Sequence, residues 1–169
     1  MTETAINPRA LLRDPGHCLA LGLGSGCIRK APGTWGTLAG LLLYSLIAWM
    51  PWPVYVGVLV LTFVAGVYLC ERTARALGVH DHPAIVWDEF VGIWLALALQ
   101  PTALVWLLFA FVTFRFFDII KPWPIGWLDR RAPGGMGIMV DDVVAGAYAL
   151  VLMALLQWGF GGSTSVPGF

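Results

Sequence analysis

Long apolar segments alternate with short polar segments along this chain. Residues 31–70, 90–114 and 143–169 contain no Asp, Glu, Lys or Arg, so the charged side chains lie in the segments between them and near the N-terminus. Uncharged apolar segments of this length are typical of helices that lie in a membrane. The pattern therefore predicts hydrophobic helices with polar residues gathered at their ends.

The first two apolar segments predict a pair of membrane helices. Trp35–Met50 and Val54–Cys70 have 16 and 17 residues, and Pro51–Pro53 separates them by a tight turn. At about 1.5 Å per residue each would span about 24 to 26 Å. This is slightly short for a hydrocarbon core of about 30 Å, but flanking Trp side chains extend it. Val143–Phe160 predicts a further span.

The middle apolar segment, Phe90–Phe114, allows two interpretations. It is either one kinked span or two short helices broken at Gln100–Pro101, where proline removes a backbone donor. A single crossing would put Asp88–Glu89 and the later charged residues on opposite faces. A hairpin keeps all the cations on one face, as the positive-inside rule favours for the cytoplasm. We therefore predict five hydrophobic helices of unequal depth, with the N-terminus inside and the C-terminus outside.

Composition strengthens the membrane interpretation. Of the 169 residues, 59% are hydrophobic and only 12% charged, with ten Lys and Arg against ten Asp and Glu. Soluble domains have about a quarter charged residues. A neutral, apolar chain also excludes disorder and the basic footprint of a nucleic-acid-binding protein. We expect one membrane-embedded domain over residues 1–169, with loose termini at 1–15 and 161–169, and no disulfide among its three cysteines.

A glycine-rich loop at Gly22–Gly26 forms the first polar cluster and leads to the start of an apolar helix. Pro32 suits the first turn of that helix, and glycines let backbone N–H groups approach an anion closely. Lys30, Thr34 and Thr37 are therefore candidate phosphate ligands. The alternative is a flexible turn that enters a membrane helix.

The second polar cluster places Asp88 and Glu89 at the start of an apolar helix, after His80–Pro83. Adjacent helical residues point about 100° apart, so we expect at most one of the two carboxylates to face a shared centre. Both could instead be capping acids that the helix N-terminus favours. The histidines are interpreted as turn residues, because the spacing does not suit a zinc site.

The third polar cluster spans two segments. Arg115, Asp118 and Lys121 recur every three residues, which puts them on one face of a helix that Pro122 ends. This face could be only a surface ion-pair ladder. Asp141 and Asp142, however, have apolar neighbours on both sides, and ionised carboxylates in that setting need a counter-charge or become protonated. A bound metal would supply that charge.

Together the clusters predict a metal site for phosphoryl chemistry. Oxygen ligands without cysteine or clustered histidine favour Mg²⁺, which commonly shares its coordination sphere with a substrate phosphate. Nearby cations would neutralise that phosphate. The expected metal ligands are Asp88, Glu89, Asp118, Asp141 and Asp142, and the expected phosphate ligands are Lys30, Thr34, Thr37, Arg115 and Lys121. We expect catalysis to depend on the five carboxylates and Lys121.

Four motifs in this order resemble the phosphatidylglycerophosphatase A family over nearly the full chain. The matching stretches are GSG with APGTWGT at 24–26 and 31–37, HDH with IVWDEFVG at 80–82 and 85–92, FRFFDIIKPWPI at 114–125, and GGMGIMVDDVVAG at 134–146. The resemblance implies an all-α bundle in which other helices surround a central helix. It also implies Mg²⁺-dependent hydrolysis of phosphatidylglycerophosphate to phosphatidylglycerol and phosphate, in the bacterial cytoplasmic membrane with the active site on the cytoplasmic face.

Two residues depart from the family pattern. Thr37 stands where serine is more common, and Arg29 stands where a less charged residue is more common, so Arg29 is left out of the predicted site. A different function also stays open at this point, a small ion or proton channel or transporter that uses Asp141 and Asp142 as intramembrane carboxylates. The sequence does not choose between a water and an aspartate nucleophile, and it predicts no oligomeric state.

Overall fold

The computed structural model describes residues 7–129 and 133–159, and within these ranges the chain is helical without strands. Short 3₁₀ helices cover Pro8–Arg13, inside the segment expected to be loose, and Gly22–Cys27. The other expected loose segment, 161–169, lies outside the described residues. The α-helices are α1 (Pro15–Ala20), α2 (Pro32–Tyr44), α3 (Trp52–Leu77), α4 (Trp87–Leu97), α5 (Leu104–Ile120), α6 (Ile125–Asp129) and α7 (Gly134–Gly159). The all-α prediction with five longer helices is confirmed.

Helix α4 is the central helix of the bundle. Nine of its 11 residues are buried, and it packs against α2, α3, α5 and α7. The Trp94 indole donates a hydrogen bond to Gly40 O at 2.8 Å, and the Tyr55 hydroxyl donates to Trp94 O at 2.6 Å. Such side-chain bonds tie the surrounding helices to α4 where water is absent. The central helix implied by the resemblance is thus present.

Helices α4 and α5 form the expected hairpin. Helix α4 ends at Leu97 and α5 begins at Leu104, with Pro101 between them, so the single kinked span is wrong. At this turn the buried side chain of Gln157, on α7, donates a hydrogen bond to Gln100. Because α5 runs back along α4, the C-terminal end of α5 lies near the N-terminal end of α4.

The helix bounds differ from the predicted spans. Helix α7 begins at Gly134, nine residues before the expected Val143, because the Gly134 N–H donates to His80 Nε2 at 2.9 Å and so caps the helix. Helix α3 continues past Cys70 to Leu77, where the Glu71–Arg75 ion pair lies on one face of the helix. Helix α2 ends at Tyr44 and is followed by turns, so the predicted helix over Trp35–Met50 is too long.

The outer surface of the bundle is apolar. Among the described helices, α3 and α7 are long and apolar enough to cross a membrane. Exposed apolar patches this large on a protein surface indicate contact with lipid or with another apolar partner. The exposed side chains include Leu42 on α2, Val60, Leu61 and Val64 on α3, Leu108 and Val112 on α5, and Val151 and Leu155 on α7. This surface, together with α3 and α7, supports a membrane protein.

Candidate metal centre

A close crossing of α4 and α7 brings two pairs of acidic residues together. A Cβ on Gly146 would lie 2.4 Å from the backbone oxygen of Gly92, so the crossing leaves no room for a side chain there. Asp88 and Asp142 each lie one helical turn before their glycine. The acidic pairs on the two helices therefore lie side by side, although 52 residues separate Glu89 from Asp141 along the chain.

The last turns of α5 add cations to these carboxylates. Arg115 Nη1 pairs with the Glu89 carboxylate and lies 2.8 Å from Asp118 Oδ2. Lys121 Nζ lies 2.8 Å from Asp141 Oδ2. The expected polar face of α5 is therefore turned inward, because the Arg115 and Asp118 side chains are only 15% and 14% exposed.

These side chains line a strongly acidic cavity of about 200 Å³, which we call the acidic cavity. Its six carboxylates and two cations leave a formal charge of −4 when all are ionised. Ionised carboxylates withdrawn from water need a counter-charge, so the cavity favours a bound cation. The carboxylates belong to Asp81, Asp88, Glu89, Asp118, Asp141 and Asp142, and the cations to Arg115 and Lys121.

Three of these carboxylates could hold a metal ion. Glu89, Asp118 and Asp142 each offer an oxygen, and the three oxygens lie within 4.8 Å of one another. They come from α4, α5 and α7, and they include one member of each adjacent acidic pair. Asp88 Oδ1 and Asp142 Oδ2 are buried without a hydrogen-bond partner among the described residues. Unsatisfied buried oxygens of this kind fit a hard divalent cation.

The first turns of α2 close the acidic cavity on another side. Pro32 lies in the first turn, as predicted, and with Gly33 it lines the cavity. A Cβ on Gly33 would lie 2.2 Å from Glu89 Oε1, so a larger residue would require this carboxylate to move. The buried Thr37 hydroxyl lies 2.7 Å from Glu89 Oε2 and 2.9 Å from Gly33 O, and its single hydrogen serves one acceptor at a time. Thr37 thus contacts the carboxylate directly.

Three of the five expected phosphate ligands do not line the acidic cavity, although one of them, Thr37, contacts the lining residue Glu89. Lys30 is exposed and Thr34 is half-buried, and neither lines it. Asp81, Pro83 and Ile85 do line it, although they were not among the predicted site residues. The sequence signal for Asp81 and Pro83 was their position in the His80–Pro83 segment, which was interpreted as a surface turn. Cys18, Cys27 and Cys70 are free thiols, as expected.

Comparisons with known proteins identify the family of this chain. The sequence model of the Phosphatidylglycerophosphatase A family matches residues 18–157. The Phosphatidylglycerophosphatase A of Escherichia coli K12 is 46% identical over 90% of this chain and 91% of that protein. The protein of the same name from Haemophilus influenzae is 46% identical over 94% of this chain and 98% of its own length.

A third relative carries a different name. This protein, from Bacteroides thetaiotaomicron, is 35% identical over 85% of this chain and 94% of its own length, and is provisionally named a phosphatidylinositol-3-phosphatase. No solved structure matches the chain. The family match covers most of the sequence and includes all the α5 and α7 residues of the acidic cavity. The chain belongs to the phosphatidylglycerophosphatase A family.

Proposed function

We propose that this chain is a lipid phosphatase that hydrolyses phosphatidylglycerophosphate to phosphatidylglycerol and inorganic phosphate, with Mg²⁺ as its cofactor. The observation that carries the proposal is the set of three carboxylates from three helices, Glu89, Asp118 and Asp142, whose oxygens lie within 4.8 Å of one another. The family assignment supports the reaction and does not favour the ion-channel alternative.

We assign the metal to Glu89, Asp118 and Asp142, with Asp88 and Asp141 beside them as further oxygen ligands. A bound divalent ion would polarise the phosphomonoester and neutralise its charge. Arg115 and Lys121 pair with carboxylates of the acidic cavity. With a cation bound to those carboxylates, the N–H groups of Arg115 and Lys121 would be able to donate hydrogen bonds to phosphate oxygens. Positioning and charge neutralisation supply most of the catalysis in phosphoryl transfer.

The remaining predicted residues receive supporting roles. The Thr37 hydroxyl orients Glu89, which keeps that carboxylate turned into the acidic cavity. Lys30 and Thr34 flank Pro32 and Gly33 in sequence, so we keep them as ligands for the approaching phosphate. Asp88 or Asp141 would accept the proton of a water that attacks phosphorus while the P–O bond to the glycerol oxygen breaks. Alternatively one of them would attack phosphorus itself, phosphatidylglycerol would leave, and water would then hydrolyse the aspartyl phosphate to release inorganic phosphate.

The location of the reaction follows from the lipid-facing surface. The acyl chains of the substrate stay in the bilayer, while its phosphomonoester lies at the level of the headgroups. The acidic cavity lies at the N-terminal end of α4 and the C-terminal end of α5, as such a substrate requires. The cations gathered around these helix ends support the cytoplasmic face of the bacterial inner membrane.

Phosphate release from phosphatidylglycerophosphate by the purified protein in detergent tests the proposal. We expect turnover with Mg²⁺, loss of turnover in EDTA, and recovery when Mg²⁺ is added back. Phosphatidylinositol 3-phosphate is the comparison substrate, and we expect much slower release from it. Phosphate release that persists in EDTA would refute the metal assignment.

Asp142→Asn tests the metal ligands. We expect kcat to fall about 100-fold or more, because the substitution removes a negative oxygen from the metal site while it keeps the side-chain shape. Asp14→Asn, at a carboxylate outside the acidic cavity, is the matched control and should keep wild-type kcat. A wild-type rate in Asp142→Asn, with helical content unchanged by circular dichroism, would make this carboxylate structural.

A further inference from the structure

A second and larger cavity adjoins the acidic cavity. Its volume is about 610 Å³, and Pro32 and Pro83 line both cavities, so the two are neighbours that share a wall. Among residues 7–129 and 133–159, no Asp or Glu lines the second cavity, whereas Arg9, Arg29 and His82 do. We call it the basic groove, because its ionisable lining has the opposite sign to that of the acidic cavity.

The polar groups of the basic groove are available to a ligand. Arg9 and Arg29 are exposed, and neither forms an ion pair with a carboxylate in the part of the chain that the structure describes. The Ala84 N–H donates to His82 Nδ1 at 3.1 Å, so in the neutral ring the proton lies on Nε2, which is then a hydrogen-bond donor.

The loop before α4 divides its side chains between the two cavities. Asp81 lines the acidic cavity, and the next residue, His82, lines the basic groove. The His80–Pro83 segment thus forms part of the boundary between an acidic site that suits a cation and a basic site that suits an anion. The basic lining of the groove does not involve the α4 and α7 carboxylates. The groove is therefore an observation separate from the proposed metal site.

The proposed substrate contains two phosphates, and these match the two sites. Phosphatidylglycerophosphate has a terminal phosphomonoester, and a glycerol unit links it to a phosphodiester that bears one negative charge. With the phosphomonoester in the acidic cavity, the phosphodiester lies a glycerol's length away. An acidic wall there would repel it, whereas two guanidinium groups attract it and can donate to its oxygens.

The edge of the groove is apolar. Ile28 lines it and is 38% exposed. Exposed apolar side chains beside a basic groove suit a lipid, whose headgroup is anionic and whose acyl chains enter the bilayer at that point.

We propose that the basic groove binds the phosphodiester of the substrate through Arg9, Arg29 and the Nε2–H of His82. This inference rests on the proposed function and deepens it, because it names the part of the substrate that the protein recognises. The groove favours phospholipids that carry a phosphodiester and a phosphomonoester one glycerol apart, and it disfavours phosphatidic acid, which has only the monoester.

The test separates the two phosphates by using the two products as inhibitors. Phosphatidylglycerol keeps the phosphodiester and therefore reports on the basic groove, whereas inorganic phosphate reports on the acidic cavity. For Arg9→Gln and Arg29→Gln we expect about a tenfold increase in the KM for phosphatidylglycerophosphate and in the inhibition constant of phosphatidylglycerol. The inhibition constant of inorganic phosphate and the low activity on phosphatidic acid should stay within about twofold.

Two further variants complete the test. His82→Asn keeps an acceptor for the Ala84 N–H but removes the Nε2 donor, so it should weaken phosphatidylglycerol inhibition without affecting phosphate inhibition. Arg13→Gln removes an exposed arginine that does not line the groove, and it should match the wild type in every constant.

The outcomes separate this inference from the proposed function. Wild-type turnover with unchanged constants in both arginine variants would overturn the groove proposal alone. Equal weakening by Arg13→Gln would overturn it too, because general surface charge would then explain the effect. If the wild-type protein releases no phosphate from phosphatidylglycerophosphate, the proposed function is refuted. In that case, unchanged phosphatidylglycerol binding in the arginine variants would refute the groove proposal as well.

Discussion

Gly33 and Thr37 contact the Glu89 carboxylate from two sides. A Cβ on Gly33 would fall 2.2 Å from Glu89 Oε1, and the Thr37 hydroxyl lies 2.7 Å from Oε2. Arg115 pairs with the same carboxylate. A carboxylate restrained by three neighbours keeps a metal-binding geometry, and small displacements of such groups are costly in catalysis.

Gly33→Ala tests this restraint. We expect kcat to fall about tenfold or more, because the added methyl group pushes the Glu89 carboxylate out of position. Phosphate release at saturating Mg²⁺ is the measurement. Gly57→Ala, on α3, is the matched control, since a Cβ there meets nothing within 4 Å. Wild-type kcat in Gly33→Ala would show that the position of Glu89 is not critical.

Asp14 stabilises the N-terminal segment through its charge. Its Oδ1 accepts hydrogen bonds from the N–H groups of Gly16 and His17, and Arg72 Nη2 lies 2.8 Å from Oδ2. The hydrogen bond from Arg72 holds the pKa of Asp14 below its usual range. A carboxyl group whose pKa is lowered on folding adds stability above its unfolded pKa of about 3.9, and that stability is lost as the pH falls.

Asp14→Asn tests this pH dependence, because asparagine can still cap α1 but cannot carry the charge. We expect a lower Tm than that of the wild type at pH 6, and a difference that shrinks below about pH 4 as Asp14 is protonated. Arg72→Gln should behave in the same way. A Tm difference that is independent of pH would attribute the effect to capping instead of charge.

At the scale of elements, the α4–α7 crossing decides whether the site forms. The backbones approach closely at Gly92 and Gly146, and the acidic pairs lie one turn away on each helix. The sequence predicted the α4–α5 hairpin, because the break at Gln100–Pro101 is local chemistry. It did not predict the start of α7 at Gly134, because the capping acceptor His80 lies 54 residues away.

Gly146→Ala should separate α4 from α7. A Cβ would lie 2.4 Å from Gly92 O, and we expect a loss of about 1 to 3 kcal/mol in the free energy of unfolding, with reduced activity. Titration with sodium dodecyl sulfate in mixed micelles measures the free energy of unfolding. Gly159→Ala, at the end of the same helix, meets nothing within 4 Å and should be neutral. Equal stability of the two variants would contradict a tight crossing.

At the scale of the whole molecule, the bundle is polar inside at one end and apolar outside. Six carboxylates and two cations line the acidic cavity, and two arginines line the basic groove, while α3 exposes a row of apolar side chains. This pattern is the inverse of that of a soluble protein, and it suits an outer face that contacts lipid.

Val64→Lys tests lipid contact near the middle of α3, where Val64 is 61% exposed. A lysine at the centre of a membrane helix costs about 2.5 to 3.5 kcal/mol, so we expect much less membrane-integrated protein. Val79→Lys, just after α3 and 48% exposed, should integrate normally. Carbonate extraction of membranes measures both, and equal yields would place α3 outside the hydrocarbon core.

The sequence by itself determined the helical class, the hairpin and the residue types of the site, because hydrophobic periodicity, proline and carboxylate chemistry are local properties. It did not determine which carboxylates meet, that Asp81 lines the acidic cavity while His82 lines the basic groove, or that Gly33 covers Glu89. Those outcomes depend on how α2, α4, α5 and α7 pack, and contacts between residues far apart in sequence leave no periodic signal along the chain.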